Sequence, residues 1–153
     1  MTPLGFFRKK EKTPADKTPK QSEAPLPQQI TLLDSLCAGD KELLQTLSRT
    51  LLLNPETTVK EGIDYHTEKA QAYEKDQKLR NARIEYQVAG EIALFEGKLQ
   101  QVQKLFKKAA ETEPDYEFKK AFEYFNKKEN AERAIAVAQE FYTKTGKKTQ
   151  SQT

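Results

Sequence analysis

Apolar residues along this chain recur at helical rather than strand spacing, most densely between residues 59 and 109. Val59, Ile63, His66, Ala70 and Tyr73 follow steps of four, three, four and three, which lays all five along one stripe of a helix. The next stretch carries Ile84, Val88, Ile92 and Phe95 on one side and Ala82, Tyr86, Ala89 and Ala93 on another. A helix apolar over more than half its circumference needs neighbours on two sides. The alanines at 70, 82 and 89 allow close backbone approach, and Tyr73 and Tyr86 fill the space beside them.

The flanks continue the pattern. From Pro27, the residues Ile30, Leu33, Leu36 and Cys37 line a short helix that stops at Gly39. Asp40 is placed to cap the next, which bears a leucine face of Leu43, Leu44, Leu47 and Leu51. Asn54-Pro55 opens the helix with the first stripe, which reaches Lys78, while Asn81 caps its successor and Gly97 ends it. Leu99, Val102, Leu105, Phe106 and Ala109 mark a further helix, and Pro114 separates it from one carrying Phe118, Ala121, Phe122 and Phe125. The last helix has Asn130 as its cap, Ala134, Ile135, Ala138 and Phe141 inward, and Gly146 as its stop. These elements form an all-α domain over residues 27–145. Residues 1–26 hold four prolines among polar residues without any period and read as a disordered basic tail; residues 146–153 read as a disordered polar tail.

Ala70, Tyr73, Ala82, Tyr86 and Ala89 also reproduce the small–aromatic–Ala–aromatic–Ala spacing of one hairpin, and here the chain resembles the tetratricopeptide repeat. A second match runs Gly90, Ala93, Val102, Phe106 and Ala109 and closes with Pro114; a third runs Phe122, Phe125, Ala134, Ala138 and Phe141. Helix 81–96 serves in both of the first two matches, which suits a spiral in which every helix packs alike. The three helices from 63 to 112 are also similar to the microtubule-interacting-and-transport domain. The repeat resemblance implies a right-handed array of antiparallel helical hairpins, a tetratricopeptide-like solenoid, with the pair before residue 54 covering one end. It further implies a concave groove that holds a peptide or helix of another protein. Carried onto this chain, the lining residues are Asp64, Thr67, Gln71 and Glu74 on one helix and Tyr116, Lys119, Glu123 and Asn126 on another. Only Lys119 and Asn126 match the family's clamp for a C-terminal carboxylate.

Composition narrows the possibilities. Hydrophobic residues make up 36% and charged residues 32%, with no tryptophan and six glycines, which fits a solvated helical protein. The net charge of +3 is carried by the ends: residues 30–142 hold 17 basic and 20 acidic side chains. A basic patch on the body is therefore not expected, which argues against nucleic-acid binding. The interleaved FKKAFEYFNKK stretch does not change this, because Phe118, Phe122 and Phe125 fall at core spacing.

One competing expectation concerns LGFFRKK, where Phe6 and Phe7 beside Arg8, Lys9 and Lys10 would bring the body to an anionic membrane surface. No apolar run is long enough to span a bilayer, and the N-terminus lacks the charge order of a secretory signal, so a cytoplasmic location is expected.

Catalytic chemistry finds little to use. Cys37 and His66 are the only cysteine and histidine, which leaves no disulfide framework and no histidine/cysteine metal site within one chain. His66 on an apolar stripe reads as a packed, hydrogen-bonded core histidine, and Cys37 as a small core residue. Pairs such as Glu74/Lys78 and Glu129/Arg133 read as solvated salt bridges at helical spacing. No phosphate-binding glycine pattern occurs. No catalytic, cofactor or metal site is therefore expected; the repeat resemblance implies a non-catalytic adaptor, and the oligomeric state is left open.

Overall fold

A computed structural model describes residues 27–51 and 55–151, with side chains over 31–51 and 61–145. Among these residues the secondary structure is entirely helical. The elements are α1 (Pro27–Cys37), α2 (Lys41–Thr50), α3 (Pro55–Lys75), α4 (Leu79–Glu96), α5 (Leu99–Thr112), α6 (Tyr116–Glu123), a 3₁₀ turn (Tyr124–Asn126) and α7 (Lys128–Ser151). Helix α3 is broken at Gly62, whose φ of 86° and ψ of 166° lie outside the range of other residues.

Helix α4 is the axis of the molecule. It packs against α3, α5 and α7, and Ala82, Ala89, Ala93 and Ile92 along it are wholly buried. Opposite them, Ala70 of α3 is 0% exposed, so the small residues set the close approach expected of the hairpin. The far side of α4 meets α5, where Val102, Phe106 and Ala109 are wholly buried. Phe106 stacks on Phe125 at 4.2 Å and on Phe122 at 5.8 Å, which joins α5 to α6 and the 3₁₀ turn. Ala134, Ala138 and Phe141 complete the core from α7.

The helix ends follow local chemistry. Asp40 caps α2 by accepting the Leu43 N–H at 3.0 Å. Gly97 ends α4 in the left-handed conformation at φ 74°, and its N–H and that of Lys98 return to the last turn. Asp115 caps α6, its carboxylate accepting the Glu117 N–H at 2.9 Å.

Elsewhere the boundaries differ from expectation. Helix α3 ends at Lys75, and Gln77 takes the left-handed position at φ 62° while the Lys78 N–H reaches back to the Tyr73 carbonyl. This tight closure starts α4 at Leu79, so Asn81 lies inside the helix and caps nothing. Asn130 is likewise inside α7, and its amide instead donates to the Tyr124 carbonyl at 3.0 Å. Helix α7 continues through Gly146 to Ser151, since an internal glycine costs a helix only about 1 kcal/mol. Ile84, expected on a buried face, is 40% exposed because α4 turns that side of its first turns outward. Asn54 and the side chains of Ile30 and Val59 lie outside the described residues.

The N-terminal pair crosses the molecule. Helix α1 packs on α7, and α2 packs on α6 and α7, whereas the main contacts of α3 are with α4. Of the expected leucine face, Leu43 and Leu47 are at 0% and Leu51 at 9% exposure, while Leu44 is half-buried. Besides α1, its cover comes chiefly from α6 and α7, about 70 or more residues later in the chain.

Candidate functional site

The groove residues of α3 fall on one stripe, and Glu74 shows where it points. The Glu74 carboxylate accepts the Tyr86 hydroxyl at 2.5 Å and lies 3.6 Å from Lys108 Nζ on α5. Lys108 also sits 5.5 Å from the Tyr86 ring centroid. Residues at steps of three and four share a side, and the Glu74 end of this stripe faces α5. Asp64 and Gln71 on it are exposed, and Thr67 is half-buried with its hydroxyl turned to the Ile63 carbonyl.

The second set sits elsewhere. Tyr116, Lys119, Glu123 and Asn126 are exposed on α6 and the 3₁₀ turn, which pack on α5, α2 and α7 rather than chiefly on α3. Helix α5 lies between the two sets and supplies the link. A shallow depression is lined by Gln103, Lys104 and Lys107 of α5 together with Asn126. Gln103 is fixed there, its amide donating to the carbonyls of Phe125 at 3.1 Å and Asn126 at 3.0 Å. Lys104 and Lys107 are exposed and have no ion-pair partner among the described residues. Their value as surface residues is legible in hindsight from their place opposite Val102 and Phe106.

Other polar groups are committed to the fold. His66 Nδ1 lies 2.7 Å from Glu85 Oε1, and Lys69 Nζ stands 3.6 Å from the other oxygen of that carboxylate. The two helical-spacing pairs are not formed as expected: Lys78 lies in the turn after α3, Glu74 turns to Tyr86 and Lys108, and Arg133 pairs with Asp40 of the N-terminal pair. The Leu43 N–H and then Arg133 hold the Asp40 carboxyl below its ordinary range.

Within α4, the polar residues Arg83, Gln87 and Glu91 recur every fourth position and are all buried, an arrangement that hydrophobic periodicity alone does not reveal. Arg83 Nε is 2.5 Å from Glu113 Oε2, its guanidinium donates to Gln87 Oε1 at 2.7 Å, and it lies 4.7 Å from the Phe118 ring centroid. Gln87 in turn donates to the carbonyls of Arg49 at 3.1 Å and Thr50 at 3.4 Å, satisfying the C-terminal end of α2. Glu91 accepts the Tyr142 hydroxyl. Burial first and then Glu91 push the Tyr142 phenol well above its ordinary value. Burial, followed by the Glu74 hydrogen bond, does the same to Tyr86.

Among the described residues no three of His, Cys, Asp and Glu gather as a metal site would require, and no helix is long and apolar enough to cross a membrane. Phe6, Phe7, Arg8, Lys9 and Lys10 lie outside the described residues. Comparison of the chain with family models, curated proteins and solved structures gives no match.

Proposed function

We propose that the chain is a non-catalytic adaptor of the cytoplasm whose helices α3 to α6 form a short tetratricopeptide-like array, closed by α1, α2 and α7. Its partner is a peptide or helix of another protein, held along the α3 stripe and the adjoining ridge of α5. The observation that carries this reading is the Glu74–Lys108 contact, which joins the α3 stripe with exposed Asp64 and Gln71 to the α5 ridge, where exposed Lys104 and Lys107 have no ion-pair partner among the described residues. Opposite charges on two sides of one surface orient an extended ligand and fix its register more than they add affinity. Exposure of every charged member makes the binding sensitive to salt.

The test is affinity capture on the full chain, with nuclease present, against a variant carrying Asp64→Lys and Lys104→Glu. Both positions are exposed, so helical content by circular dichroism stays unchanged. A discrete protein retained by the parent and lost from the variant supports the surface. Equal retention by both moves the function away from it.

A further inference from the structure

The pair α1–α2 is followed in the chain by α3, yet its packing lies across the molecule on α6 and α7. Its seat has an apolar middle, filled by Leu43, Leu47 and Leu51 from α2 and by Leu33 and Cys37 from α1. The rim is charged. Asp40 at the start of α2 pairs with Arg133 of α7, and Arg49 near its end lies 3.3 Å from Glu117 of α6. At the floor, Gln87 of α4 supplies the hydrogen bonds that the last carbonyls of α2 lack.

Leucines at steps of four, an acid at one end and a cation at the other are the features with which an amphipathic helix enters a groove. Here the ligand belongs to the same chain. We propose that α1–α2 is a detachable strap over a docking groove framed by α6 and α7. The groove's external occupant is an amphipathic partner helix with leucines at steps of four, an acidic residue facing Arg133 and a cationic residue facing Glu117. The structure supplies three reasons. The strap's principal contacts outside itself are with α6 and α7, and α4 reaches it through Gln87. Each rim pair has one well-exposed member, Glu117 at 62% and Arg133 at 54%, against half-buried Arg49 and Asp40, and pairs open to solvent on one side hold weakly. The Gln87 amide oxygen accepts from Arg83 of its own helix, which aims the amide's donor at the carbonyl end of the helix in the groove. Segments of this kind open locally before the whole fold does. This groove is separate from the α3–α5 surface, and either stands if the other fails.

Cys37 reports directly on the opening. It is the only cysteine, sits on α1 at 1% exposure, and its thiol is pushed up to about 11, chiefly by burial. In the closed chain it is both covered and protonated, and only the thiolate reacts. The experiment follows labelling of Cys37 in the full chain by a disulfide reagent across a urea series, beside global unfolding by circular dichroism. Expected is an opening at least about tenfold more populated than global unfolding, with a shallower urea dependence. A synthetic peptide of residues 40–51, added in excess, accelerates labelling to a plateau by filling the vacated groove. Replacing the rim with Asp40→Asn and Glu117→Gln raises the rate roughly two- to fivefold while helical content is kept.

Labelling that tracks global unfolding with the same urea slope overturns the proposal, as does indifference to the peptide. Labelling that slows as a dimer forms with rising protein concentration gives the groove to a second copy's strap and overturns the assignment to a separate partner.

Discussion

Gly90 of α4 lies directly against the ring of Phe106 on α5. A Cβ built there would stand 2.8 Å from Phe106 Cζ and 2.9 Å from its Cε2, inside any permitted contact. Phe106 cannot easily yield, because it is wholly buried and stacked on both Phe122 and Phe125. Gly90→Ala is therefore expected to cost about 1–3 kcal/mol through overpacking, despite the better helix propensity of alanine. Chemical denaturation of the two chains measures it, and an unchanged or higher midpoint would show that the ring shifts freely. Small residues at positions such as Ala70, Ala82 and Gly90 were legible from spacing alone, since their role depends on neighbours within one hairpin. Asn81 and Asn130 misled for the converse reason. Asparagine is a good cap, but Gln77 in the left-handed position starts α4 two residues earlier.

Helix α4 shows how an element can look amphipathic and yet be buried almost all round. Arg83, Gln87 and Glu91 form a polar row that sequence periodicity assigns to water, whereas each meets a different element of the fold: the α5–α6 junction, the end of α2, and α7. That information is absent from the local pattern, because Gln87 serves carbonyls 37 and 38 residues away. The Arg83–Glu113 pair has side chains only 9% and 7% exposed, so removing one partner strands a buried charge. Glu113→Gln should cost about 3 kcal/mol, and adding Arg83→Met should recover much of the loss. Urea unfolding of the two single variants and the double variant gives the coupling. A double variant no more stable than Glu113→Gln alone would mean that the rest of the Arg83 network, including Gln87 and Phe118, carries the stability.

Across the whole molecule, the tyrosines set the limit in alkali. Tyr86, Tyr124 and Tyr142 are buried and each phenol is raised above its ordinary value of 10, Tyr124 to about 12 by burial and then Asp40. A raised phenol stays neutral in the folded chain while its unfolded counterpart ionises. The stability is thus complete below pH 10 and falls as pH rises beyond it, by up to about 1.4 kcal/mol per pH unit for each such phenol. In an absorbance titration at 295 nm, these three of the six tyrosines should ionise together with the loss of helix, and Tyr142→Phe should remove one from that step. Smooth ionisation of all six before any loss of helix would contradict the burial. The all-helical character and most buried apolar positions could be read from the sequence. How α1–α2 would lie could not, because its contacts join the two ends of the described chain and leave no period to detect.

That crossing also has a meaning in time. Helix α2 emerges from the ribosome long before α6 and α7, and at about 5–20 residues per second roughly 4–14 s separate Leu51 from the end of α6 and roughly 5–20 s from the end of α7. Throughout that interval Leu43, Leu47 and Leu51 have α1 and then α4 beside them but not their seat on α6 and α7, so the earliest-made helices settle into place last.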